Sequence, residues 1–121
     1  MSKKNKKFNT KAIHVGQEPE KLYGSVSLPI HLTSTFKQQE FGEYEYDYSR
    51  AGNPTRTNLE NNIASLEEGK EAIAFSSGMA AISAVIHLLS SGDEVIFTRN
   101  VYGGTYRIMQ KIYKNFSIKS H

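Results

Sequence analysis

Apolar residues recur at helical spacing three times in the second half of the chain and hardly at all in the first. Leu59, Ile63 and Leu66 fall at i, i+4 and i+7 with asparagine and glutamate opposite. That spacing predicts an amphipathic helix preceded by Pro54 and Thr55 and ended by Gly69. Ile82, Val85, Ile86 and Leu89 predict one apolar face of a second helix, with Gly92 as its C-cap. A third helix is expected from Thr105 to about Asn115, with Ile108, Met109, Ile112 and Tyr113 toward a core. Between these helices, Ala72 to Phe75 reads as a short buried strand and Glu94 to Thr98 as another. Ser117 and Ile118 read as the entry to a further strand.

Strand alternating with helix is the pattern of an open α/β sheet with parallel strands. Such sheets bind ligands at the carboxyl ends of their strands. The two glycine-bearing turns, Ser76 to Gly78 and Tyr102 to Gly104, fall at such ends. The first part of the chain reads differently. From Phe8 to about Phe41 short apolar pieces are interrupted by Gly16, Pro19, Gly24 and Pro29, which predicts an extended arm without a core of its own. The tyrosine-rich EFGEYEYDYSRAGNPT follows, with a turn at Gly52, Asn53 and Pro54.

Length and composition narrow the classes. A chain of 121 residues is one domain or part of one, and 38% hydrophobic with 22% charged residues is ordinary globular usage. No apolar run approaches the ~18 residues of a membrane span, and the lysine-rich start is not a secretory signal, so a cytoplasmic protein is expected. The absence of cysteine excludes disulfides and cysteine-ligated metals, and the four histidines show no metal-binding spacing. The net charge of +3 belongs to the tail: four of the fifteen cations stand in MSKKNKK, leaving eleven against twelve acids. A basic face for nucleic acid is therefore not expected.

Three stretches carry candidate chemistry. In AFSSGMAAI, the Ser-Ser-Gly turn at a helix entry offers free amides, hydroxyl donors and a positive dipole end to an anion. A serine there also simply caps the helix, and the stretch alone fits both. It is neither a Walker loop nor a GxGxxG dinucleotide turn, so a single phosphate suits it better than a nucleotide. In DYSRAGNPTR, Tyr48 and Arg50 stand two residues apart and so on one side of an extended chain. That arrangement suits a phosphate as well as it suits a packed tyrosine beside a solvated arginine. In NVYGGTYR, Tyr102 offers an aromatic face to a flat ligand or covers a core edge. His87, inside the second helix, reads as structural.

In order and spacing, KAIHVGQEPE, PIHLTSTFKQ, YDYSRAGNPTR, AFSSGMAA, GDEVI and VYGGTYR resemble the N-terminal third of the pyridoxal-phosphate-dependent enzymes of Cys/Met metabolism. The resemblance runs from Phe8 to Phe116, and IHVGQEPE and LTSTFKQ are most similar to the cystathionine γ-lyase branch. It implies an arm and inter-subunit loop over residues 1–57 and the beginning of a fold-type I cofactor domain over 58–121. It implies pyridoxal 5′-phosphate as cofactor, a sulfur amino-acid substrate and a homo-oligomer built as a dimer of dimers.

The resemblance also implies roles for residues. The amides of Ser77, Gly78 and Met79 would hold the cofactor phosphate, and Tyr48 and Arg50 would reach it from a neighbouring subunit. Tyr102 would stack on the pyridine ring and shuttle protons, and Arg107 would line the substrate side. The reaction implied is elimination of the γ-substituent of cystathionine, giving cysteine, 2-oxobutanoate and ammonia. Cystathionine γ-synthase, methionine γ-lyase and O-acylhomoserine sulfhydrylase are the alternatives within the family.

None of the lysines here stands in the motif that anchors the cofactor covalently in that family, so these residues alone are expected to be inactive and truncated. Two rival readings stand beside this one. The chain would dock through its arm on full-length subunits as a non-catalytic module, or it would be an unrelated phosphate-ligand-binding domain resting on the Ser-Ser-Gly turn.

Overall fold

The computed structural model describes residues 7–121, so all of the MSKKNKK tail but Lys7 lies outside the described residues. Contacts divide the chain into two compact units, the first ending at Ala74 and the second spanning Phe75–His121.

The first unit holds two helices, α1 (Phe8–His14) and α2 (Pro54–Leu66). The arm expected to be extended from Phe8 thus begins as a helix and turns irregular only after Val15, where the glycines and prolines begin. Asn53 N-caps α2, its side-chain oxygen accepting from Thr55 N–H at 2.9 Å, and Pro54 occupies the first helical position, where its missing N–H costs nothing. The predicted apolar face of α2 is corrected: Leu59 and Ile63 are exposed, and the buried residue is Ala64. A polar contact decides which side meets α1. The Asn62 amide donates to the carbonyls of Lys11, Ala12 and Val15 at 3.2, 3.2 and 2.8 Å, satisfying the orphaned C-terminal end of α1.

The end of α2 also differs from expectation. Glu68, not Gly69, takes the left-handed conformation at φ 55°, and Gly69 N–H closes the turn on Ala64 C=O at 2.9 Å. A side chain in that conformation costs about 1 kcal/mol relative to glycine. Glu68→Gly is therefore expected to raise the stability of the first unit by roughly that amount in a urea titration.

The strand expected at Ala72 to Phe75 is absent. A strand needs a backbone partner, and here Ala74 N–H donates instead to the Glu60 carboxylate at 2.8 Å while Ile73 is 71% exposed.

The second unit follows the expected alternation: α3 (Gly78–Ile86), β1 (Glu94–Val95), α4 (Gly103–Lys111), a 3-10 turn (Tyr113–Phe116) and β2 (Lys119–Ser120). β1 and β2 pair in parallel, Glu94 with Lys119 and Val95 with Ser120. Further bonds from Gly92 N–H to Ser117 C=O and from Phe97 N–H to His121 C=O prolong the ladder at both ends. The core beneath it is Ile86, Met109, Tyr113 and Ile118, ringed by Ile82, Leu89, Val95, Phe97 and Ile108. Val85 and Ile112, expected to face that core, are exposed. They extend the apolar stripes beyond the width that the partner elements cover. The C-cap expected at Gly92 is corrected too: α3 ends at His87, and Gly92, at φ 96°, belongs to the turn that starts β1. His87 sets its ring edge-on to Tyr113 at 5.6 Å, in keeping with a structural role.

Glu94 fixes the strand register from the side chains, taking Lys119 Nζ on one oxygen and His121 Nε2 on the other, each at 3.1 Å. The Lys119 hydrogen bond, then the charges of Lys119 and His121, hold the Glu94 carboxyl below the ordinary 4.5. A lowered folded value stabilises the ladder above the ordinary carboxylate range and loses that contribution as pH falls through it. Lys119→Ala should move the Glu94 titration back toward 4.5, read from its carboxyl carbon shift against pH.

Candidate phosphate and cofactor site

In the second unit two helix entries come together. Ser77 N-caps α3 in extended conformation, and its hydroxyl oxygen accepts from Ala80 N–H at 3.1 Å. The capping reading of this serine is thus realised, and it does not exhaust the turn. The hydroxyl still has its own proton to donate. The first amides of a helix have no intrahelical acceptor, which leaves those of Gly78 and Met79 available. Ser76, Ser77 and Gly78 are exposed, and a Cβ placed on Gly78 would meet nothing within 4 Å, so an anion can approach the backbone closely. Positive dipole end, bare amides and a spare hydroxyl suit a phosphate group.

Tyr102 is the N-cap residue of α4, at the end of the irregular connection that follows β1, and its side chain makes no capping hydrogen bond. Tyr102 is 70% exposed, and its ring and the Met79 sulfur both crowd Gly104, for a Cβ on Gly104 would stand 2.6 Å from Tyr102 Cε1 and 2.9 Å from Met79 Sδ. The expected phosphate turn and the expected aromatic platform are therefore neighbours, both reaching Gly104. Arg107 is exposed on α4 one turn further on, and among the described residues its guanidinium has no hydrogen bond or ion pair. An open hollow of about 580 Å³, lined by Phe97, Arg99, Val101, Gly103 and Tyr106, adjoins the start of α4 and contains none of the expected site residues.

In the first unit Tyr48 and Arg50 also meet, though across a turn and not along the extended chain expected, since Tyr48 C=O accepts from the Ala51 and Gly52 amides at 2.9 Å each. The Arg50 guanidinium carbon lies 4.8 Å from the centre of the Tyr48 ring. The loop that presents them is built with care: Phe36 N–H donates to Asp47 C=O and Ser49 N–H to Ser34 C=O, while the Ser49 hydroxyl donates to Thr33 C=O. Arg56 donates to the carbonyls of Ser49 and Ala51, at 3.1 and 2.8 Å, and Asn53 ties in His31 and Ser49. Against that network, Arg50 is exposed and among the described residues makes no hydrogen bond or ion pair, so its five donors remain open to an anion. Asn53 was expected only as part of the Gly52 to Pro54 turn and Arg56 was not singled out; the turn signal marked their place and not their bonds.

The chain matches the Cys/Met metabolism PLP-dependent enzyme family over residues 9–121. It belongs to that family. Among the curated relatives it is similar to, a cystathionine beta-lyase of Lactococcus lactis is 54% identical over 87% of this chain and 28% of its own length. A cystathionine gamma-lyase of Bacillus subtilis is 50% identical over 94% of this chain and 30% of its own. Among solved structures, metB from Corynebacterium glutamicum superposes with a TM-score of 0.91 at 38% identity, covering 97% of this chain and 31% of that one. Cystathionine gamma-lyase from Lactobacillus plantarum, complexed with L-serine, gives 0.88 at 44% identity over 96% and 30%. The chain thus spans about three-tenths of the length of the relatives it matches.

The α/β fold with a parallel ladder agrees with that membership. A family that works through pyridoxal phosphate also agrees with the donor set of the second unit: bare helix-entry amides and an exposed aromatic ring suit the phosphate and the flat ring of that cofactor. Among the described residues no helix is long and apolar enough to cross a membrane.

Proposed function

We propose that this chain supplies the phosphate-binding part of a pyridoxal-phosphate-dependent carbon–sulfur lyase of trans-sulfuration, of the cystathionine γ-lyase type. The observation that carries the reading is the meeting of the α3 entry with Tyr102 at Gly104, which Met79 Sδ and the Tyr102 ring both approach. When bound, the cofactor supplies an electron sink for the carbanion formed at the substrate amino acid. The chain's own residues hold and orient. The amides of Gly78 and Met79, with the Ser77 hydroxyl, donate to the phosphate oxygens. Tyr48 and Arg50 of a second copy close the cage, the guanidinium gripping two oxygens at once. The Tyr102 ring lies on the pyridine face, and its phenol carries a proton at the reacting carbon. Arg107 reaches the substrate side. Leu22, Val26, Ile30 and Leu32 stand exposed along the arm, which supports its laying against other subunits of a homotetramer. We place the protein in the cytoplasm.

The test takes the subunit carrying this chain, loaded with cofactor and given cystathionine. A γ-lyase releases cysteine, 2-oxobutanoate and ammonia. Release of homocysteine and pyruvate would make it a β-lyase, the name borne by several relatives. Arg50→Ala is expected to weaken cofactor binding about 10- to 100-fold, the worth of a hydrogen-bonded charge. Unchanged affinity would remove Arg50 from the cage.

A further inference from the structure

Two glycines stand side by side at the start of α4, and the structure treats them differently. A Cβ on Gly103 would meet nothing within 4 Å. A Cβ on Gly104 would stand 2.6 and 3.1 Å from Cε1 and Cδ1 of the Tyr102 ring and 2.9 Å from Met79 Sδ, all well inside ordinary contact. Neither glycine has the positive φ that would demand glycine for backbone reasons. Alanine is the better helix former at both, so local propensity argues against glycine twice. Only at Gly104 does the surrounding structure need the missing side chain.

We propose that Gly104 is a positioning residue for Tyr102. Its bare Cα lets the ring fold back on the first turn of α4 while the Met79 sulfur closes on the same glycine, so that the ring is held beside the α3 entry. This rests on the reading of Tyr102 as the platform for the cofactor ring. The atoms a methyl group would strike are ends of side chains, not backbone. The chain can therefore accept alanine at Gly104 by swinging the ring away, which makes the effect one of orientation more than of folding.

The test compares this chain with its Gly103→Ala, Gly104→Ala and Met79→Ala variants by NMR, and by titration with pyridoxal phosphate. In the unaltered chain and in Gly103→Ala, a nuclear Overhauser contact should join the Tyr102 ring to the Met79 methyl. In Gly104→Ala it should vanish while the amide spectrum otherwise stays folded. The dissociation constant for pyridoxal phosphate should rise roughly fivefold in Gly104→Ala, the loss of one aromatic contact. It should stay unchanged in Gly103→Ala, and Gly104→Ala should add nothing in a Tyr102→Ala background.

A contact that persists in Gly104→Ala, or a weakening equal in Gly103→Ala or undiminished without the Tyr102 ring, overturns the proposal. Should Gly104→Ala not fold, Met79→Ala keeps both glycines and removes the support under the ring. In that variant the ring is read by its contact to the Gly104 α protons, which should weaken together with binding, and an unmoved ring there counts against the proposal. The ring contact decides the placement on its own. If Tyr102→Ala leaves cofactor binding untouched while Gly104→Ala still displaces the ring, the cofactor reading fails and the positioning stands.

Discussion

Met109→Ala is expected to cost the second unit about 2–5 kcal/mol, the usual range for truncating a buried methionine. Met109 is only 1% exposed and is the largest side chain so fully enclosed. It belongs to a cluster with three other buried members, Ile86, Tyr113 and Ile118, ringed by partly buried apolar residues, so truncating it removes the centre of the unit's core. A loss of that size is a large part of the stability of a small structure. The expected result is a urea midpoint shifted far down or a unit that no longer folds, with loss of the near-ultraviolet signal of Tyr113. A shift below about 1 kcal/mol would mean that the ladder and not this cluster holds the unit.

Gly16→Ala should be nearly as damaging to the first unit, for two reasons that add. At φ 70° an alanine enters the left-handed region, which costs about 1–2 kcal/mol. Its Cβ would also collide with the Asn58 carbonyl on α2, a backbone atom that cannot rotate away. Overpacking of that kind costs about 1–3 kcal/mol. The position lies just where Val15 C=O receives the Asn62 amide, so α1 would be pushed off its cap. The expected signs are a lower midpoint and faster exchange of the Val15 amide, with Gly24→Ala, where the Cβ meets nothing, showing only the conformational part.

The sequence told most where structure is local. The α3–β1–α4–β2 order and the parallel sense of the strands follow from alternating periods, and Met109 and Tyr113 were named as inward from spacing alone. Tyr48 and Arg50 lie together, but not as an extended chain would place them: Tyr48 C=O takes the amides of Ala51 and Gly52, so a turn that the spacing did not foresee brings the guanidinium over the ring. Spacing shows which side of a helix is apolar and not how much of it a partner covers. That is why Val85, Ile112, Leu59 and Ile63 turned out exposed.

The segment from Ala72 to Phe75 has strand composition, but a strand exists only against another, and Glu60 takes the Ala74 amide instead. α1 escaped notice because its seven residues carry neither a capping side chain nor a repeating apolar stripe. It is held by Asn62, some fifty positions away in the chain. The link between Met79 and Tyr102 was hidden for the same reason. It joins the entries of two helices through space, and no period in the sequence announces it.

The account stands or falls on where the cofactor's phosphate rests. The direct measurement is an amide proton–nitrogen spectrum of this chain titrated with pyridoxal phosphate, with phosphorus resonances followed alongside. Gly78 and Met79 should move first and furthest, the phosphorus line should broaden, and Ser77→Ala should weaken both responses. If Gly78 and Met79 stay in place at the highest cofactor concentration reached, the helix entry is not the phosphate site and the account is contradicted.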